Sequence, residues 1–146
     1  MVRRFTSPPI ELPAAEHHFE RADLIFYEID HSGHSFEAQV FLDAGGVGPK
    51  ADESHRAYVG SFFILGHGGC FGDVGHCDIP SQRDPFDLRP AHQLEPAVRV
   101  LTVTDAVTAL LKRGVEAAKV SLVARTEVRH PQDVLTFETV RLVSYA

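Results

Sequence analysis

With 146 residues, the chain is long enough for one domain whose core needs no disulfides to hold it. Hydrophobic residues make up 44% and charged residues 23%, an ordinary globular mixture, and the formal charge of -6 excludes a surface built to grip nucleic-acid phosphates. No stretch approaches the roughly 18 to 20 apolar residues of a membrane span, and no apolar run of signal-peptide length follows Arg3 and Arg4. A cytoplasmic protein without membrane partners is expected.

Residues 1 to 20 carry Pro8, Pro9, Pro13 and the pair His17-His18 with no clear period, which predicts an extended arm on the domain surface. Ala22 to Asp30 is rich in branched and aromatic residues and predicts a first strand, followed by a turn from His31 to His34. Ser35 to Asp43 alternates: Phe36, Ala38, Val40 and Leu42 share one face, Glu37, Gln39 and Asp43 the other, with Phe41 the exception. An apolar side chain on the polar face predicts that part of that face is covered too.

Ala57 to Leu65 is apolar on both faces and reads as a central strand. The following stretch, 66 to 96, has no regular period and forms a long loop of functional character. Order returns with a strand from Ala97 to Val103. A helix then has Thr104 or Asp105 as its cap, Val107, Leu110 and Leu111 on one face and Gly114 as its stop. Lys119 to Arg125 and Val134 to Tyr145 predict two last strands joined by a hairpin turn at His130 to Asp133. Strands without alternating helices make this a single all-β domain, 1 to 146. The expected form is an antiparallel β-sandwich or partly closed barrel of about six or seven strands with one short helix.

The chemistry concentrates in the loop. Gly66 to Pro80 holds both cysteines of the chain and the spacing His67-x2-Cys70-x5-His76-Cys77, among glycines that let the backbone turn tightly. Two thiolates and two imidazoles would complete a tetrahedral shell for copper or zinc. Asp73 and Asp78 could orient the imidazoles from behind. The alternative is a loop pinned by a disulfide between Cys70 and Cys77, or by buried thiols, with the aspartates as turn residues. His31, His34, His55 and His92 offer a second, weaker set of metal ligands. A cysteine nucleophile beside a histidine is a further option, though the chain shows no recognisable set of oxyanion donors.

Several of these segments, in their order, resemble the C-terminal β-domain of tyrosinases and polyphenol oxidases, the type 3 copper proteins. They are Ser35 to Leu42, Tyr58 to Phe63, Leu110-Leu111 with Val120 to Arg125, and Val134 to Val140. Residues 66 to 77 are similar to a Gly-His-Gly-Gly-Cys-Phe-Gly-Asp-x-Gly-His-Cys loop of bacterial tyrosinase-like proteins. The resemblance spans about residues 22 to 145. It does not extend to the helical, histidine-rich domain that holds the copper pair in those oxidases. It therefore implies a companion β-domain without the oxidase, more accessory than enzyme, that covers, matures or delivers copper to such an oxidase or binds a metal independently. A tyrosinase-like copper oxidase or a second copy of the chain is the implied partner. The competing expectations are a small metal- or cysteine-dependent enzyme acting on a phenolic or thiol substrate, and a purely structural interaction domain.

Overall fold

The computed structural model describes residues 2–31, 33–67, 85–86, 88, 95–126 and 139–146. Among them are nine strands and one helix: β1 (Val2–Thr6), β2 (Ile10–Glu11), β3 (Arg21–Ile29), β4 (Phe36–Leu42), β5 (Tyr58–Ile64), β6 (Ala97–Thr102), α1 (Thr104–Lys112), β7 (Ala117–Ala118), β8 (Val120–Arg125) and β9 (Thr139–Tyr145). One sheet has the order β1, β8, β4, β5, a second the order β6, β3, β9, and β2 pairs with β7. Every pairing is antiparallel. The larger sheets share one apolar core in a sandwich-like arrangement, and among the described residues none of the sheets closes into a barrel. No helix among the described residues is long and apolar enough to cross a membrane.

Period-two patterning decides the faces. In β4, Phe36, Ala38, Val40 and Leu42 enter the core, while Phe41 is fully buried on the opposite face in a small cluster with Val47 and Val123. The cover predicted for Phe41 is the connection between β4 and β5, which contributes Ala44, Ala51 and Ala57. In β3, Ala22, Leu24 and Phe26 alternate inward until a register shift between Phe26 and Ile29. There Glu28 adopts φ 55, so the bulge leaves Glu28 exposed and turns Ile29 into the core.

The tertiary fold departs from local expectation in three places. The arm expected on the surface is built into the fold: β1 pairs along its length with β8, and buried Ser7 exchanges hydrogen bonds with Val120. The described parts of β8 and β9 do not pair with each other as the expected closing hairpin would require. The turn at 130 to 133 lies outside the described residues, but β8 pairs with β4 and β1 whereas β9 pairs with β3 in the other sheet. Five of the six residues of β8 are buried, which suits an interior position; β9 keeps a half-exposed pattern and lies at an edge. Finally, among the described residues β5 is an edge strand and not a central one. Its apolar character on both faces reflects the neighbouring sheet: a Cβ at Gly60, whose φ is +142, would lie 2.8 Å from Leu101 Cδ1 of β6.

The helix ends as its sequence predicts and begins differently. Gly114 takes φ 77 and donates to the Leu111 carbonyl, and Val115 donates to the Leu110 carbonyl, a Schellman closure. At the start neither Thr104 nor Asp105 caps. Val103 holds the cap position without a side-chain bond, and the Thr104 hydroxyl accepts the Ala22 amide of β3 at 3.0 Å.

One carboxylate is buried on the outer side of β3. Asp23, 2% exposed, accepts from Arg21 Nε at 2.9 Å and pairs with the other end of the same guanidinium, also at 2.9 Å. That bond, helped by the Thr102 hydroxyl, outweighs burial and holds the Asp23 carboxyl below its ordinary range. A depressed folded-state value stabilises the fold above the ordinary aspartate range near 3.8 and is lost as pH falls through the depressed value. Asp23→Asn should therefore flatten the fall in stability below about pH 4, as read by urea unfolding between pH 2 and pH 7. An acid limb identical to that of the parent would exclude this role for Asp23.

Candidate metal centre

Three stretches of chain meet at one end of the sandwich: the connection from β3 to β4, the segment leaving β5 and the segment entering β6. Phe36 pairs with Ile64 and Glu37 with Phe63, so continuing that antiparallel register carries residues 33–35 alongside 65–67. Ile29 pairs with Ala97, which brings Glu95 near His31. The bulge at Glu28 sets the exit of the first stretch toward the other two.

Gly66 makes the closest approach. Its amide donates to Ser35 Oγ at 2.9 Å, and a Cβ placed there would run into the backbone of Gly33, His34 and Ser35, with the Ser35 nitrogen at 2.6 Å. Only glycine allows two backbones so near each other without displacing one. The consequence is the position of His67, the next residue.

His31 stands at the junction. Its carbonyl accepts the His67 amide at 3.0 Å and lies 3.2 Å from His67 Nδ1, while its own Nε2 lies 2.6 Å from the Glu95 carbonyl. A carbonyl oxygen can only accept, so these contacts assign the proton to Nε2 in His31 and to Nδ1 in His67. The two rings meet edge to face, their centroids 5.0 Å apart at 74°. One residue thus ties together both ends of the long loop. An open groove beside it is lined by Phe36, Phe63, Leu65 and Arg125, with Phe63 and Leu65 largely exposed.

Of the residues marked by sequence, the structure brings His31 and His67 together. The backbone of His34 belongs to the same junction through Gly66. His55 does not. It packs edge-on against Phe41, with centroids 5.4 Å apart, and five residues of strand, about 17 Å, separate Phe41 from the start of β4. Its Nδ1 accepts the Ala57 amide at 3.1 Å. The preceding turn is held by Asp52, which accepts the Ser54 hydroxyl at 2.6 Å and amide at 2.9 Å; these bonds keep the Asp52 carboxyl below its usual range. His55 is a packing residue of the outer cluster, separate from His31 and His34.

Cys70, Asp73, His76, Cys77, Asp78 and His92 lie outside the described residues. Among the described residues no three of His, Cys, Asp and Glu gather as the ligands of an ion. The two imidazoles present are donors that suit zinc and copper. Sequence spacing groups His31 with His34, His55 and His92, whereas the structure pairs it with His67, 36 positions away. The register of β4 and β5, extended past both strands, sets His67 opposite Gly33, so the pairing with His31 is a product of the tertiary fold.

The fold defines the class of protein this chain resembles: an all-β sandwich of the kind found in polyphenol oxidases. A latent aurone synthase (polyphenol oxidase) from natural source matches 98% of this chain with a TM-score of 0.57 and 16% identity. The recombinantly expressed latent enzyme matches 97% with a TM-score of 0.58 and 16% identity. In both cases the chain spans 24% of the polyphenol oxidase, so the likeness is to about a quarter of that enzyme and is one of fold. No protein-family model matches the sequence. No curated protein matches it either.

Proposed function

We propose that the chain is a non-enzymatic companion module of a tyrosinase-like copper oxidase, and that its long loop captures one copper or zinc ion for storage or delivery. The observation that carries this reading is the pair of coverages: almost all of this chain corresponds to only a quarter of a polyphenol oxidase. A domain that accompanies a copper enzyme has a use for a soft-metal site. In this reading His67, Cys70, His76 and Cys77 supply the ligands, with Asp73 and Asp78 accepting hydrogen bonds from the imidazoles. Docking runs through an outer sheet face; the exposed Val98 and Val100 of β6 support it.

Elemental analysis of untagged, reduced protein, with a thiol count before and after chelator, tests the site. The expected result is about one copper or zinc per chain and thiols that react only after the ion is stripped. Mixing the copper-loaded protein with a metal-free catalytic domain of a tyrosinase-like oxidase tests the role. Co-elution and the onset of diphenol oxidation are expected. Protein free of metal, with its two thiols bonded to each other and eluting apart from the oxidase, overturns the proposal in favour of a structural module.

A further inference from the structure

We propose that His31 and His67 are two ligands of one metal ion, His31 through Nδ1 and His67 through Nε2. The inference deepens the reading above, in which the loop captures an ion, by adding a ligand from outside that loop.

Three observations converge on the pair. Each ring already donates its N–H to a main-chain carbonyl, His31 to Glu95 and His67 to His31. That is the support which metal-bound histidines ordinarily receive: it fixes the tautomer and leaves the opposite nitrogen with its lone pair. The separation of the rings also fits a shared ion. With zinc–nitrogen bonds of about 2.0 to 2.1 Å and a near-tetrahedral angle, two imidazoles on one ion hold their centroids about 5 Å apart. The observed value is 5.0 Å. The positions are, finally, set by backbone and not by side-chain chance. The His67 amide is bonded to the His31 carbonyl, and Gly66 admits no side chain, so the two Cα positions are held before any ion arrives.

The assignment changes what the site does. A centre with His31 as a ligand is anchored to the end of β3 through the bulge at Glu28, so two of its positions are prepared in advance. His31 also holds Glu95 at the far end of the loop, so an ion at this pair couples both ends of the loop to the sandwich.

The test uses the full-length, untagged, reduced protein and Zn(II) alone, titrated in competition with a chromophoric chelator, while the labelled histidine nitrogens are followed by NMR. The metal-free protein should show His31 protonated on Nε2 and His67 on Nδ1, and Zn(II) should shift His31 Nδ1 and His67 Nε2. His31→Ala and His67→Ala should each weaken Zn(II) binding by about tenfold or more, and His55→Ala should leave it unchanged. The NMR arm on the parent protein keeps the inference open to refutation even where a variant folds poorly.

A double variant, Cys70→Ser with Cys77→Ser, separates this inference from the loop reading. If it keeps Zn(II) while His31→Ala loses it, the histidine pair stands and the thiol site falls. If His31→Ala binds as the parent does, or Zn(II) shifts only the His67 signals, the pair is a packing contact and the inference is overturned. A parent protein that takes up no Zn(II) overturns both.

Discussion

Gly66→Ala should lower the stability of the protein by about 2 kcal/mol and move His67 away from His31. The added methyl meets main-chain atoms of Gly33, His34 and Ser35, which cannot swing aside as a side chain can. Relief requires one strand end to withdraw, breaking the bond from the Gly66 amide to Ser35 Oγ and loosening that from the His67 amide to the His31 carbonyl. Urea unfolding gives the energy, and a nuclear Overhauser contact between the two rings reports the geometry. Gly33→Ala is the control from the same junction: a Cβ there meets nothing within 4 Å, so stability should be unchanged or slightly raised. Equal losses for the two variants would mean that the close approach at Gly66 does not position the site.

Phe26→Ala should have the larger effect, a loss of about 3 to 5 kcal/mol. Phe26 is fully buried in the middle of β3, and its ring lies 5.0 Å from that of Phe62 on β5, so it joins the two sheets directly. A loss of that size removes much of the roughly 5 to 15 kcal/mol that holds an ordinary domain folded. Phe63, next to Phe62 in sequence, is 67% exposed, and Phe63→Ala should stay within about 0.5 kcal/mol of the parent. Chemical denaturation of the three proteins side by side decides the matter. A Phe63 variant as damaged as the Phe26 variant would contradict the assignment of faces in β5.

The junction of His31 and His67 was only partly legible in the sequence, for reasons that differ by residue. His67 stands out because it opens a glycine-rich run containing the chain's two cysteines, a local feature that needs no fold to be seen. His31 looks like any turn histidine beside Ser32 and Gly33. Its importance comes from Glu95 and His67, which are 64 and 36 positions away in sequence. His55 misleads for the converse reason: its type suggests a ligand, while Phe41 and the Ala57 amide give it a packing role.

By itself the sequence determined what depends on near neighbours. The alternation in β4, the Gly114 closure of α1 and the strand-rich, helix-poor order of elements all follow from side-chain period and backbone conformation within a few residues. Only the tertiary structure decided which strands pair. It placed β1 against β8, β5 at an edge with Leu101 against Gly60, and β9 beside β3 instead of β8. Strand pairing is settled by long-range burial and register, which many partners satisfy equally well until the whole core is assembled. The meeting of His31 and His67 is a product of that assembly. It exists because Gly66 lets the chain leaving β5 touch the connection between β3 and β4, where the His67 amide reaches the His31 carbonyl.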